Sequence, residues 1–179
     1  MQQQKTQSKI PSYLFSKRPS VRIARIAIFT ALAVIGSFIK PDPASSIAFD
    51  SFAGFIVALL FGGVEGALVC GLGHLATAVI SGFPMGILHI PIAVGMAIAG
   101  GAIGATNKYK NRAAFIPALI IGVAINTAMV FPLAPLLGPT FDAGLLVATA
   151  LAPGLLVVAS LNALLAGLVY IAVRGKKPA

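Results

Sequence analysis

The chain has 179 residues, of which 58% are hydrophobic before its 19 glycines are counted, and only 9% are charged; its mean hydropathy is +0.98. That leaves too little polar surface to clothe a compact particle in water, which excludes a cytosolic enzyme, a secreted disulfide scaffold and a disordered tail. A formal net charge of +9 would ordinarily suggest an anionic partner such as nucleic acid, but in so apolar a chain it reads first as a topology signal. Cys70 is the only cysteine, so no intrachain disulfide can form.

A membrane-crossing helix needs about 20 mostly apolar residues, and six segments qualify in turn. The first, 21–39, follows a polar, basic stretch and is stopped by Lys40-Pro41-Asp42-Pro43. Its apolar run is longer than the core of a cleavable signal peptide, so it is expected to be retained. The second and third, 48–63 and 65–82, are joined only by the Gly62-Gly63-Val64 corner, which predicts a tight helical hairpin. Ser81-Gly82-Phe83-Pro84 separates the third from the fourth, 86–106. The strongly polar run Asn107 to Arg112 precedes the fifth, 113–135. The sixth, 144–173, carries Pro153, which is expected either to kink it or to split it into a turn and a helix.

With six spans, every Lys and Arg except Lys40 falls on one side: Lys5, Lys9, Lys17, Arg18, Arg22, Arg25, Lys108, Lys110, Arg112, Arg174, Lys176 and Lys177. The positive-inside bias places that side in the cytoplasm, and the even count keeps both basic termini there. The expected fold is therefore an all-α integral membrane protein with six transmembrane helices and cytoplasmic N and C termini. Residues 1–20 form a cytoplasmic tail, 21–174 the membrane domain and 175–179 a second cytoplasmic tail.

Absent motifs narrow the chemistry. No G-x-x-x-x-G-K-[ST] phosphate loop, H-E-x-x-H or G-x-S-x-G occurs in the sequence, so ATP hydrolysis by that route, a zinc hydrolase and a serine hydrolase have no support. No metal site, cofactor or enzymatic activity is expected. Of the four acids, Asp42 and Asp142 fall in loops on the side opposite the basic one, Asp50 opens the second helix and Glu65 sits in the basic-side corner. A self-sufficient ion-coupled carrier would be expected to keep a carboxylate at mid-depth.

The polar groups within the spans are the binding candidates. His74 in the third helix reads either as a ligand contact or as an interhelical hydrogen bond. Asn126 and Thr127, halfway along the fifth, read as helix glue or ligand contacts, whereas Asn162 and Ser160 in the sixth favour packing. His89, in the first turn of the fourth, suits a headgroup-level position or a pocket contact. Asp50 with Ser51 reads as a helix N-cap or as a carboxylate for an external solute. Phe131 joins the candidates, with Phe49, Phe52 and Phe83, as a ring that can stack on an aromatic ligand. Small residues four apart, Gly62 and Gly66, Gly100 and Gly104, and Ala27 and Ala31, permit close helix approach.

The six spans, the Ala27-x-x-x-Ala31 face beside Arg22 and Arg25, and the corner running from Leu60-Phe61-Gly62-Gly63-Val64-Glu65-Gly66 to Gly73-His74 resemble the substrate-binding S components of energy-coupling factor (ECF) vitamin transporters. The likeness extends from Ala24 to about Val173, with Gly63 standing where that family commonly has proline. The resemblance implies a bacterial plasma-membrane subunit that captures a vitamin from outside beneath a lid, here Lys40 to Phe49. It would pass its cargo on after associating with a membrane coupling subunit and two ATPase subunits, and Ala27 and Ala31 would dock the coupling subunit. The run from Asp50-Ser51-Phe52 to Ser81-Gly82-Phe83-Pro84 looks like the branch associated with α-ribazole, the nucleoside salvaged for the lower ligand of cobalamin. Another vitamin such as riboflavin or pantothenate is the alternative cargo. A stand-alone secondary carrier or a small membrane enzyme is the alternative class, and no nucleic-acid partner is expected.

Overall fold

The computed structural model of the protein describes residues 15–40, 47–107 and 114–174. The expected tails, lid residues 41–46 and the basic residues Lys5, Lys9, Lys108, Lys110, Arg112, Lys176 and Lys177 lie wholly or mostly outside these. The described elements are helical: α1 (Pro19–Gly36), α2 (Ser51–Phe61), α3 (Gly63–Ile80), α4 (His89–Thr106), α5 (Phe115–Ala128), the single turn α6 (Ala134–Leu137) and α7 (Phe141–Arg174).

Five helical stretches are long and apolar enough to cross a membrane: Pro19–Gly36, Gly63–Ile80, Gly86–Thr106, Phe115–Leu137 and Phe141–Arg174. The expected second span is the exception. α2 has 11 residues, about 17 Å at ~1.5 Å per residue, against a hydrocarbon thickness of about 30 Å. Every α2 residue from Ser51 to Leu59 except Phe52 is buried, so this short helix is sheathed by the others. Its missing turn precedes Ser51, where the chain is not helical. Irregular backbone at membrane depth is tolerated only where protein or an internal cavity surrounds it.

The first and last spans also depart from expectation. α1 ends at Gly36 rather than residue 39 because the chain turns there: the Ile39 carbonyl accepts a hydrogen bond from the returning Phe49 N–H at 3.1 Å. α7 runs unbroken through Pro153 for 34 residues, about 51 Å, and its first turn takes in Asp142, expected in a loop. α5, conversely, stops at Ala128 and gives way to a 3₁₀ turn at Phe131–Leu133 before α6. Asn126 and Thr127 consequently occupy its last turn instead of its middle.

Glycine sets how closely the helices approach. Gly62 takes φ +114°, a conformation closed to most L residues, and lets α3 begin one residue after α2 ends. A Cβ on Gly100 of α4 would lie 2.6 Å from the Gly66 carbonyl oxygen of α3, and one on Gly104 would run into the Gly63 backbone. The paired small residues thus meet across the α3–α4 interface, where the backbones touch.

The two ends of the bundle differ in charge. At one end Glu65, in the first turn of α3, receives Arg25 through Nε at 2.8 Å and Nη2 at 2.7 Å, and Arg22 through Nε at 3.0 Å. Arg25 also donates to the Ser16 carbonyl at 3.0 Å and stacks 4.5 Å over the Phe61 ring. The corner acid is thus buried and tied to α1. At the far end, Lys40 Nζ donates to Ser81 Oγ at 2.6 Å, joining the exits of α1 and α3. Removing Glu65 leaves Arg25 buried without its carboxylate, so Glu65→Ala is expected to cost about 3–5 kcal/mol, read as a lower thermal midpoint in detergent. Replacing both partners, Arg25→Met with Glu65→Leu, is expected to recover most of that loss; a wild-type midpoint for Glu65→Ala would mean that the pair does not hold α1.

Candidate functional site

The half of the bundle away from the Arg25–Glu65 end holds a cavity of about 380 Å³, within the range of small-molecule sites, ~300–1,000 Å³. Its walls come from the segment before α2 (Ile47, Ala48, Asp50, Ser51), from α3 (His74), from α4 and the turn before it (Pro84, Met85, Ile92, Met96), from the end of α5 (Asn126, Met129, Val130, Leu133) and from α7 (Val147, Leu151, Leu155, Val158, Ala159, Asn162). Hydrocarbon and thioether surface dominates. Asp50, Ser51, His74, Asn126 and Asn162 are the polar residues, and no Lys or Arg lines it among the described residues.

Asn162 builds the polar wall. Its Oδ1 accepts from the Phe52 N–H at 2.9 Å, while its Nδ2 donates to the Ala48 carbonyl at 3.3 Å and to Val158 O at 2.9 Å. One buried amide thus satisfies the backbone on both sides of Asp50 and latches the start of α2 to α7. The packing role expected of Asn162 is what these bonds describe, and the same residue forms part of the cavity wall.

Asp50 occupies the N-cap position of α2 but makes no side-chain capping bond. Its Oδ1 accepts from Ser51 Oγ at 3.0 Å, and its buried Oδ2 has no hydrogen-bond partner among the described residues. Asp50 Oδ2 and His74 Nδ1 are 3.9 Å apart, beyond hydrogen-bond range. On its other side His74 Nε2 lies 3.1 Å from His89 Nδ1. His89 is wholly buried. It sits behind His74 rather than on the cavity wall.

The remaining candidates divide. Asn126 reaches the cavity from the last turn of α5. Thr127 does not line it, and its buried Oγ1 lacks a partner among the described residues. Phe131 is 40% exposed and faces away, because the 3₁₀ turn after α5 rotates it outward while presenting Val130 and Leu133. Phe49 and Phe52 are also absent from the walls, and Phe83 packs edge-on against His89 at 5.7 Å between centroids. No phenylalanine therefore stands ready to stack on a ligand in the cavity.

Methionine takes that place. The chain has 4 methionines, and all but Met1 line the cavity: Met85, Met96 and Met129. A polarizable thioether conforms to flat or irregular apolar ligands and makes favourable contacts with aromatic rings. The sequence signal, a scarce residue confined to three helix or loop positions, carries no spacing from which their convergence could be read.

On α1, Ala27 and Ala31 are exposed on the outer surface of the bundle, beside Ile28 and Ile35. They lie on a different part of the molecule from the cavity.

No significant match is found among curated proteins. The family described as ECF transporter, substrate-specific component matches residues 21–174, nearly the whole chain and all of the helical bundle. The chain belongs to the family of ECF transporter substrate-specific components.

Proposed function

We propose that this protein is the solute-capturing subunit of an ATP-driven vitamin importer in a bacterial plasma membrane. The Arg25–Glu65 end faces the cytoplasm, as do both termini, and the cavity faces outside. The observation that carries the reading is the largely apolar cavity with a few polar residues, Asp50, Ser51, His74, Asn126 and Asn162, in the half of the bundle away from the Arg25–Glu65 cluster. The subunit has no phosphate loop of its own, so energy comes from a coupling subunit and two ATPases. Residues Lys40 to Phe49 act as the lid.

The cargo best suited to the walls is an uncharged molecule with an apolar ring at one end and hydroxyls at the other, and α-ribazole is the first candidate. An anionic ligand would find no cation on the walls among the described residues. The dimethylated benzimidazole suits the Met85, Met96 and Met129 surface, and the ribose suits Asp50, Ser51, His74 and Asn126. Riboflavin and pantothenate are the comparison compounds.

A ligand that binds only the folded state must raise its thermal midpoint; at about one hundred times the dissociation constant the gain is about 2.7 kcal/mol. A thermal-shift screen of the detergent-purified protein is expected to give a clear rise with α-ribazole. A rise with riboflavin or pantothenate alone would reassign the cargo, and no rise with any vitamin would overturn the capture reading. Asp50→Ala and His74→Ala are each expected to weaken binding about tenfold or more, the value of a buried hydrogen bond to a charged or polarised group; unchanged titration isotherms for both would remove them from the site.

The exposed Ala27 and Ala31 on α1 are proposed as the docking face for the coupling subunit, since small residues let another helix approach to backbone contact. The double variant Ala27→Leu, Ala31→Leu is expected to abolish uptake in cells while leaving ligand binding in detergent at the wild-type level. Normal uptake by that variant would place the docking face elsewhere.

A further inference from the structure

Asp50, His74 and His89 form a line running from the cavity wall into the protein, and their hydrogen bonds fix where each imidazole proton lies. The Met85 backbone N–H donates to His89 Nε2 at 3.4 Å, so that nitrogen is bare and the proton of His89 is on Nδ1. His89 Nδ1 is 3.1 Å from His74 Nε2, and since it carries the proton it donates, leaving His74 Nε2 bare in turn. The proton of His74 is therefore on Nδ1, the atom that faces Asp50 Oδ2 across 3.9 Å. The common ambiguity of histidine tautomers is removed by one backbone amide two residues away in the chain of bonds. Phe83, edge-on to the His89 ring, helps to hold its plane.

The carboxylate oxygen opposite lacks a partner among the described residues. Ser51 directs its hydroxyl to Oδ1, and Thr77, whose hydroxyl lies beside Asp50, donates its proton to the Gly73 carbonyl at 3.0 Å. Among the described residues Asp50 Oδ2 is left as a buried acceptor without a donor, next to a donor too distant to serve it. An oxygen placed ~2.8 Å from each, the usual hydrogen-bond length, closes a triangle on the 3.9 Å base. With Asp50 ionised, that oxygen must accept from His74 and donate to Asp50. A hydroxyl does both with one atom; an ammonium group would leave the His74 N–H facing another donor, and a carboxylate or phosphate would leave Asp50 facing another acceptor.

The geometry points to His89 as a positioning residue that locks His74 in its Nδ1–H tautomer, so that His74 and Asp50 together bind a hydroxyl group of an uncharged ligand. This deepens the capture reading and rests on it for the ligand, although the tautomers can be measured without one. Selectivity follows from the pairing, because a ligand lacking the hydroxyl leaves both a buried donor and a buried acceptor unsatisfied.

The protein has 2 histidines, which makes the test direct. In protein labelled with 15N-histidine, in detergent at mildly alkaline pH, long-range proton–nitrogen correlation spectra distinguish protonated from bare ring nitrogens. Both histidines are expected as Nδ1–H tautomers. His89→Asn keeps an N–H close to the Nδ1 position and is expected to leave His74 as Nδ1–H. His89→Gln keeps only an acceptor for Met85 and is expected to release His74 toward the commoner Nε2–H form. An Nε2–H tautomer for His74 in the wild type, or no change in His89→Gln, would overturn the proposal.

Binding of α-ribazole and of its base, 5,6-dimethylbenzimidazole, supplies the second readout. The wild type and His89→Asn are expected to prefer the nucleoside by about tenfold or more, and His89→Gln to lose that preference while still binding the base. Equal affinity of the wild type for both compounds would overturn the hydroxyl assignment. Failure of both to bind would count against the α-ribazole reading of the cargo, with the tautomer spectra still deciding the relay.

Discussion

A polar group inside hydrocarbon has no water to turn to, and that constraint organises this protein. Its scarce polar side chains gather in three places: the Arg22–Arg25–Glu65 cluster at one end, the Asn162 latch near the cavity, and the Asp50–His74–His89 line. Asn107, at the end of α4, belongs to the first region in depth. It donates to the Leu59 carbonyl at 2.9 Å and toward Tyr170 Oη at 3.4 Å, which satisfies α2 near its end and ties it to α7. The outward surfaces of the helices carry Ile, Leu and Val instead, many of them more than half exposed, as suits a face turned to lipid.

The short α2 is the clearest consequence. A helix of full length in its place would satisfy its own backbone and leave no gap. Because α2 starts only at Ser51, its first turn and the residues before it need partners from elsewhere, and Asn162 supplies them to Phe52 and Ala48. The shortfall in helix creates both the space of the cavity and the irregular backbone that holds Asp50 at its edge. The same logic applies to α5, which ends early and turns Asn126 and Met129 toward that space. Two interrupted helices thus face each other across the cavity, while the uninterrupted α3, α4 and α7 provide the frame.

The division of labour between the ends follows from charge. The basic end is rigidly paired, with one carboxylate shared by two guanidinium groups, and it fastens α1 to the α2–α3 corner. The face of α1 that bears Ala27 and Ala31 is held in place by this clamp while remaining exposed. The cavity end is linked more lightly, by Lys40 to Ser81 and by the Ile39–Phe49 backbone bond. A subunit that must admit a solute at one end and engage a partner along one helix is well served by that asymmetry.

The sequence by itself determined the solvent, the number of apolar segments to within the shortened α2, the glycine corner at Gly62 and the small-residue faces that permit close helix approach, because each of these follows from composition or from spacing along one helix. It also singled out Asp50, His74, His89 and Asn126 as polar groups that lipid would not tolerate unpaired. Tertiary structure alone decided which of them meet. His74 and His89 lie on different helices, Glu65 finds Arg25 from 40 positions away, and Asn162 reaches Phe52 across 110; nothing local records those pairings. The same holds for Phe131, turned outward by a 3₁₀ turn, and for Met85, Met96 and Met129, whose convergence depends on how far each helix runs before it stops. Periodicity specifies which face of a helix is apolar, whereas the lining of a cavity depends on where neighbouring helices end.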